Sequence, residues 1–348
     1  MSAMRQVGNP SSVHAFGRRQ RQLVEEARAE IAALVGALPQ NVIFAGSGTE
    51  ANNLALRGTG RARVVISAIE HPSILQAVDG AELAPVTAEG IVDIDRLAVM
   101  LAESDTPSLV SIMMANNETG IVQPIAEIGA LVESHGGILH CDMVQAAGRL
   151  PLDMGPVAMA SLSAHKIGGP QGVGALVLRG NVDPAPILRG GGQERGRRAG
   201  TENVAGIVGF GVAARLLRER SGTMSEIGAL RDGLEKQVRS AFSDAVIFGD
   251  SVPRLPNTSC FAVPGMRAET QIMALDLAGI AVSAGSACSS GKVVVSHVLQ
   301  AMGVPDDLAQ CAIRVSYGPE NAETDGARLI EVLKTLRRRT VRENPEAA

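Results

Sequence analysis

Short apolar runs rich in Val, Ile and Leu alternate along the chain with longer stretches of helical period. That pattern predicts an α/β protein with a mainly parallel sheet. A first helix is expected over Val13–Val35, then a strand over Asn41–Gly46 ("NVIFAG") and a second helix opening near Thr49. Further strands are expected in "ARVVISAI", "SLVSIMMA", "GILHCDMV", "ASLSA" and "VGALVLRG", with a helix at Ile125–Ser134 among them. After the loop "RGGGQERGRRAGTEN" the period is helical from Val204 through Arg220 and again from Ser225 to Phe242. A second alternating region follows: "AVIFGD", "NTSCFAVPG", a helix at Glu269–Ala278, "AIRVSYG" and a last helix near Ala327–Arg338. The change of rhythm predicts a large domain over residues 1–222 and a smaller α/β domain over 223–348.

A chain of 348 residues exceeds what a single core usually organises, which agrees with two lobes. A net charge of -4 leaves no polybasic surface, so neither nucleic acid nor an anionic membrane is an expected partner. The opening "MSAMRQVGNPSS" has no apolar core of a signal peptide, and no apolar run approaches the roughly 18 residues of a membrane span. A cytoplasmic protein acting on small metabolites is expected. The four cysteines, Cys141, Cys260, Cys288 and Cys311, form no CxxC pair, which argues against a zinc site and against a disulfide framework. Three of them sit in apolar strand-like runs and are expected to pack inertly. Cys288 differs: it lies in "SAGSACSSGK", a Ser/Gly/Ala stretch unsuited to core packing, where a thiol reads as a reactive group on a movable arm.

Two segments carry further chemistry. In "FAGSGTEANNLAL" a glycine-rich turn joins a strand to a helix, so that backbone N–H groups and a helix N-terminus converge as a phosphate cradle. Helix capping by Ser47 or Thr49 is the plainer alternative. Ala51 stands where the strict GxGxxG motif has its third glycine, and the P-loop spacing fails at Lys292 because five residues separate Gly285 from Gly291. In "SAHKIGGPQGVGALVL" Lys166 stands at a strand end, flanked by Ser163 and His165. A lysine amine whose pKa is lowered there can form a Schiff base. One strand earlier, "HCDMVQAAG" offers Asp142 at a strand end with Gln145 beyond it. A buried aspartate needs a cationic partner, and a protonated pyridine nitrogen would supply one.

With these motifs the chain resembles the cysteine desulfurases of the NifS/IscS-like kind, within the class V aminotransferase family of fold-type I pyridoxal-phosphate enzymes. The resemblance rests on "GNPSSVHAFGR", "SGTEANN", "EHPS", "NNETG", "HCDMVQAAG", "SAHKIGGPQGVGAL", "GGGQERGRRAGTEN", "GSACSSGK" and "IRVSYG" taken together. It implies a large domain with a mainly parallel mixed sheet flanked by helices, plus a smaller α/β C-terminal domain carrying the cysteine loop. It implies pyridoxal 5'-phosphate as cofactor, with Lys166 as the Schiff-base lysine and His71 stacked on the ring and assisting proton transfer. Asp142 would hold the ring nitrogen, and Gln145 and Asn117 would contact the phenolic oxygen or substrate. Gly48, Thr49, Ser163 and His165 would bind the phosphate. Thr201 would reach the neighbouring subunit's cofactor, which implies a homodimer. Arg314 would pair with the substrate carboxylate.

By the same resemblance Cys288 would take the sulfur of L-cysteine as a persulfide, leave L-alanine, and pass the sulfur to an acceptor protein such as an iron–sulfur scaffold. No metal is implied. Two departures stand out. Family members usually carry a segment of the type "YLDNNATTP" well upstream of "GNPSS", whereas seven residues precede Gly8 here; and Pro319 replaces an arginine after the glycine of "SYG". The rival expectations are a related pyridoxal-phosphate enzyme, such as an aminotransferase or selenocysteine lyase, and a weakly active scaffold that binds cluster-assembly proteins. Transamination needs no loop thiol, so Cys288 favours desulfuration.

Overall fold

The computed structural model of the protein describes residues 5–219, 223–285 and 295–343. The chain divides into two compact units: residues 1–84, 93–114 and 123–221 form the first, and 85–92, 115–122 and 222–348 the second. Two short excursions, each flanked by first-unit chain, therefore belong to the second unit.

The first unit holds α1 (Ala15–Leu34), β1 (Val42–Ala45), α2 (Gly48–Gly58), β2 (Arg63–Ser67), α3 (Pro72–Leu75), β3 (Glu82–Ala84), α4 (Ile94–Ala102), β4 (Ser108–Ser111), α5 (Ile125–Ser134), β5 (Ile138–Asp142), β6 (Met159–Ser163), β7 (Gly174–Leu178) and α6 (Val204–Glu219). Its seven strands lie in the order β1-β7-β6-β5-β4-β2-β3. Strands β2 to β6 run parallel, and β7 pairs antiparallel with both β6 and β1. The strands read as near-continuous apolar runs because almost every position on both faces is buried. One cluster, with Ile43, Leu54, Ile66, Leu109 and Leu176 at its heart, packs α2 onto the sheet. Helices α1 and α6 meet so closely that a Cβ on Gly211 would lie 2.7 Å from that of Ala27, which restricts the position to glycine.

A mainly parallel sheet gathers its strand carboxyl ends on one edge, where ligands of such folds bind. Ser67, Ser111, Asp142 and Ser163 close β2, β4, β5 and β6 there. Strand β1 points the same way, since two antiparallel pairings separate it from β6. The turn from β1 into α2 therefore opens on that edge.

The second unit holds α7 (Thr223–Ala241), β8 (Val246–Ile247), β9 (Thr258–Ala262), α8 (Ala268–Leu277), β10 (Ser283–Ala284), α9 (His297–Ala301), α10 (Asp306–Ala309), β11 (Ala312–Ser316) and α11 (Glu323–Glu343). Its strands form an antiparallel sheet in the order β10-β11-β9-β8. Leu234, Val238, Phe261, Leu275, Ile313 and Leu333 form its core, with α7, α8 and α11 supplying the apolar stripes.

Candidate functional site

The turn after β1 is built as an anion cradle. Ser47 caps α2, its Oγ accepting from the Glu50 N–H at 3.1 Å. The N–H groups of Gly48 and Thr49, in the same first turn, have no acceptor within the helix. The turn sits directly on the sheet: a Cβ on Gly48 would come within 3.2 Å of Val144 Cγ2 and 3.3 Å of Ser163 Cβ, and one on Gly174 would stand 2.4 Å from the Ser47 carbonyl carbon. The second approach requires glycine, and the first leaves room for a side chain only if Val144 and Ser163 give way. Ser163 Oγ pairs with His165 Nδ1 at 2.9 Å. Thr49 and His165 are exposed while Gly48 and Ser163 are buried, so the cradle has a firm floor and open polar rims.

Beside it lies Asp142, 6% exposed at the end of β5. Its Oδ2 accepts from Asn52 Nδ2 at 2.8 Å and its Oδ1 from the Val144 N–H at 2.9 Å. Burial raises the carboxyl pKa; those two donors and the positive fields of His71 and Lys166 work against that rise. Asn52 also donates to Ser73 Oγ at 2.9 Å, and that hydroxyl pairs with His71 Nδ1 at 2.8 Å. The Ser73 N–H points at the same ring nitrogen at 3.1 Å, which makes Nδ1 the acceptor and leaves the proton on Nε2. A continuous chain of hydrogen bonds thus joins the buried carboxylate to the exposed imidazole of His71.

Lys166 is half-buried in a single 3-10 turn, Ala164–Ile167, which Gly168 ends with a left-handed φ of 81°. Burial, helped by the positive charge of Lys166, lowers the pKa of His165. Arg149 fixes the backbone around the site, donating to the Gln145 carbonyl at 2.8 Å and to the Lys166 carbonyl at 3.2 Å. Gln145 is half-buried and Thr201 is exposed. Gly48, Thr49, His71, Asp142, Gln145, Ser163, His165 and Lys166 all belong to the carboxyl edge of the first unit. Thr201 lies on the loop before α6, where it lines a small pocket of about 110 Å³ with Gly46 and Arg198.

Three further polar side chains at this edge escape the sequence reading. Asn52 stands three residues after Thr49, a helical spacing that puts both on one face of α2. Ser73 falls inside "EHPS", and Arg149 carries no local signal. The donors suit a phosphorylated pyridine: backbone N–H groups for a phosphate, a buried carboxylate for a protonated ring nitrogen, and a lysine amine. One orphan atom adds to the fit, since buried Asn52 Oδ1 has no hydrogen-bond partner among the described residues.

The second unit carries Asn117 and Arg314. Arg314, half-buried on β11, donates from Nη1 to the Asn117 carbonyl at 2.5 Å. Its Nε is buried and has no partner among the described residues. The adjacent Glu118 is buried, accepts from Ser296 Oγ at 2.5 Å, and has its pKa raised by burial against the pull of Ser296, His297 and Arg314. Cys288 lies outside the described residues. The other three cysteines are buried thiols with raised pKa values: burial pushes Cys260 up to about 12, and Cys141 and Cys311 rise for the same reason. None of those three is poised as a thiolate. No described helix is long and apolar enough to cross a membrane.

The chain's relatives agree in character. The "Aminotransferase class-V" family pattern matches residues 3–329. The chain is similar to a cysteine desulfurase of Gluconacetobacter diazotrophicus, 41% identical over 345 residues that cover 94% of this chain and 86% of that one. It is also similar to an IscS-like cysteine desulfurase of Mycobacterium tuberculosis, 40% identical over 356 residues, 95% of this chain and 90% of that one. Among solved structures, a NifS-like protein from Rickettsia africae superposes with a TM-score of 0.91 at 38% identity, covering 97% of this chain and 94% of that one.

Proposed function

The chain belongs to the aminotransferase class-V family, among the pyridoxal-phosphate cysteine desulfurases of the NifS/IscS-like kind, and from that premise we propose that it converts L-cysteine to L-alanine while Cys288 takes up the sulfur as a persulfide. The observation that carries the reading is Asp142: a buried carboxylate beside an open N–H cradle, within the field of Lys166 and His71. An ionised carboxylate in such a place is costly without a cation, and a protonated ring nitrogen answers that need.

Pyridoxal 5'-phosphate, when bound, supplies an electron sink for the substrate Cα. The N–H groups of Gly48 and Thr49, with the side chains of Thr49, Ser163 and His165, would hold its phosphate. Asp142 would keep the proton on the ring nitrogen, and the bonds from Asn52 and the Val144 N–H orient Asp142 and favour its ionised form against burial. His71 would stack on the ring, and Gln145 and Asn117 would serve the phenolic oxygen or the substrate. Lys166 Nζ would hold the cofactor and move the proton at the substrate Cα. The planar fork of Arg314 grips the substrate carboxylate, a role its unpartnered Nε suits.

Cys288 attacks the substrate sulfur as thiolate. Its S–H is replaced by S–S–H and the carbon skeleton leaves as alanine, so the atoms balance without an outside oxidant. The persulfide sulfur then passes from Cys288 to an acceptor protein, such as an iron–sulfur scaffold. We further propose a cytoplasmic homodimer in which Thr201 of each protomer completes the partner's cofactor site; the exposure of Thr201 supports this. Relatives named as cysteine desulfurases leave the aminotransferase and scaffold readings unfavoured. Incubating cofactor-loaded protein with L-cysteine and a reductant should release alanine and sulfide in equal amounts. Alanine-free turnover, or pyruvate as the product, would refute the assignment.

A further inference from the structure

The loop before α6 is fastened to the end of β1 at two points. Glu194 and Arg195 adopt consecutive left-handed conformations, with φ of 48° and 59°, which L-residues avoid unless something holds them. The Glu194 carboxylate is held by both ends of the Arg28 fork, at 2.7 and 2.9 Å, and accepts the Phe44 N–H at 2.9 Å. Two residues further along the chain, Glu50 Oε2 accepts the Gly46 N–H at 2.8 Å. Arg198 grips that same carboxylate with Nε at 2.8 Å and Nη2 at 3.2 Å.

Glu50 is the acid in the first turn of α2. A carboxylate there is drawn to the helix N-terminus and would repel a phosphate bound at the same turn. We infer that Arg198 is a positioning residue for the phosphate-binding turn: it neutralises Glu50 and holds it back on Gly46, leaving the Gly48 and Thr49 N–H groups to a doubly charged phosphate. This deepens the cofactor reading and rests on it. It also ties the loop that carries Thr201 to the cradle of its own chain, because Arg198 stands three residues before Thr201.

Calorimetric titration of the apo-protein with pyridoxal 5'-phosphate and, separately, with pyridoxal tests it. Arg198→Met should weaken pyridoxal 5'-phosphate about tenfold and leave pyridoxal within about twofold. Glu50→Gln in the Arg198→Met background should restore most of the loss, since an amide keeps an acceptor for Gly46 and needs no neutralising. A purely structural role for Arg198 would weaken both ligands alike and would show no such rescue; either result overturns the inference. Should Arg198→Met fail to fold, Arg198→Lys keeps the charge without the fork, and the same titration should show a smaller, phosphate-dependent loss; none would again overturn it. Wild-type protein that does not prefer the phosphorylated ligand would overturn the cofactor reading along with the inference. A preference that survives intact in Arg198→Met overturns the inference alone.

Discussion

The two units each contain a buried, bidentate Arg–Glu pair, yet they prepare their chemical groups in different ways. In the first unit Arg28 and Glu194 are joined by the Phe44 N–H; in the second, Arg254 and Glu235 pair at 2.6 and 2.9 Å and Ser259 Oγ adds a third bond at 2.8 Å. Both pairs staple loops to regular elements. Beyond that the units diverge. The polar groups on the first unit's carboxyl edge largely satisfy one another: Asp142, Asn52, Ser73 and His71 form a chain, and Ser163 meets His165. The second unit leaves Arg314 Nε buried without a described partner, beside a carboxyl, Glu118, whose protonation burial favours. Under the proposed function, the difference is one between a preorganised cofactor bed and a substrate handle whose last partner would be the ligand itself.

Lys166→Ala should break the bed most severely. Its turnover with L-cysteine should drop about 10²–10⁴-fold, the scale of losing a positioned acid–base group, and borohydride should no longer fix cofactor to the chain. Covalently fixed cofactor in that variant would mean another lysine carries it.

The two buried pairs should respond alike to Arg28→Met and Arg254→Met, each leaving a buried carboxylate without its cation at a cost of about 3–5 kcal/mol. Denaturant melts followed by proteolysis of each unit would check this. A cost near zero in either would show that water reaches that carboxylate.

Arg314→Lys should cut kcat/KM by roughly 10–100-fold, mostly through KM, because hydrogen bonds to a charged group contribute about 1.5–3 kcal/mol. Cofactor affinity should be unchanged, which separates the handle from the bed.

The smallest effect per unit step is a pH dependence. Glu70, wholly buried beneath the bed, accepts from Ser67 Oγ at 2.5 Å and the Met113 N–H at 2.8 Å, and burial pushes its pKa up to about 8. The folded chain then binds a proton that the unfolded chain, with an ordinary glutamate near 4.5, has released. Stability from this group is therefore full below about pH 4.5 and falls as pH rises toward 8, by up to about 1.4 kcal/mol per unit. Glu70→Gln should flatten that slope, read from unfolding midpoints between pH 5 and 8. A slope the variant leaves untouched would assign the proton elsewhere.

Much of this was legible in the sequence, for identifiable reasons. The strands β1, β2, β4, β5, β6, β7, β9 and β11 are short apolar runs, and the expected helix at Ile125–Ser134 matches α5 residue for residue. Strand β3 was not foreseen, because "ELA" is three residues with a charge and pairs only along the sheet edge. Helix α4 was missed although Asp93 caps it, its Oδ1 accepting from the Arg96 N–H at 3.0 Å, a signal within reach of sequence. The last helix extends beyond its expected Ala327–Arg338 at both ends, to Glu323–Glu343, where charged residues hide the period. At the site, residue types at strand ends could be read directly. The Asn52–Ser73–His71 chain and the Arg198–Glu50 clamp could not, since each joins segments brought together only by the fold. The excursions 85–92 and 115–122 are equally non-local, for the same reason.

The central claim is that sulfur leaves L-cysteine onto one loop thiol while the three buried cysteines stay inert. Mass spectrometry of the cofactor-loaded protein after turnover, with peptide mapping, tests it directly. The account predicts an added sulfur on Cys288 alone, and Cys288→Ser protein that binds L-cysteine but releases almost no alanine. An added sulfur on Cys141, Cys260 or Cys311, or full turnover by Cys288→Ser, would contradict it.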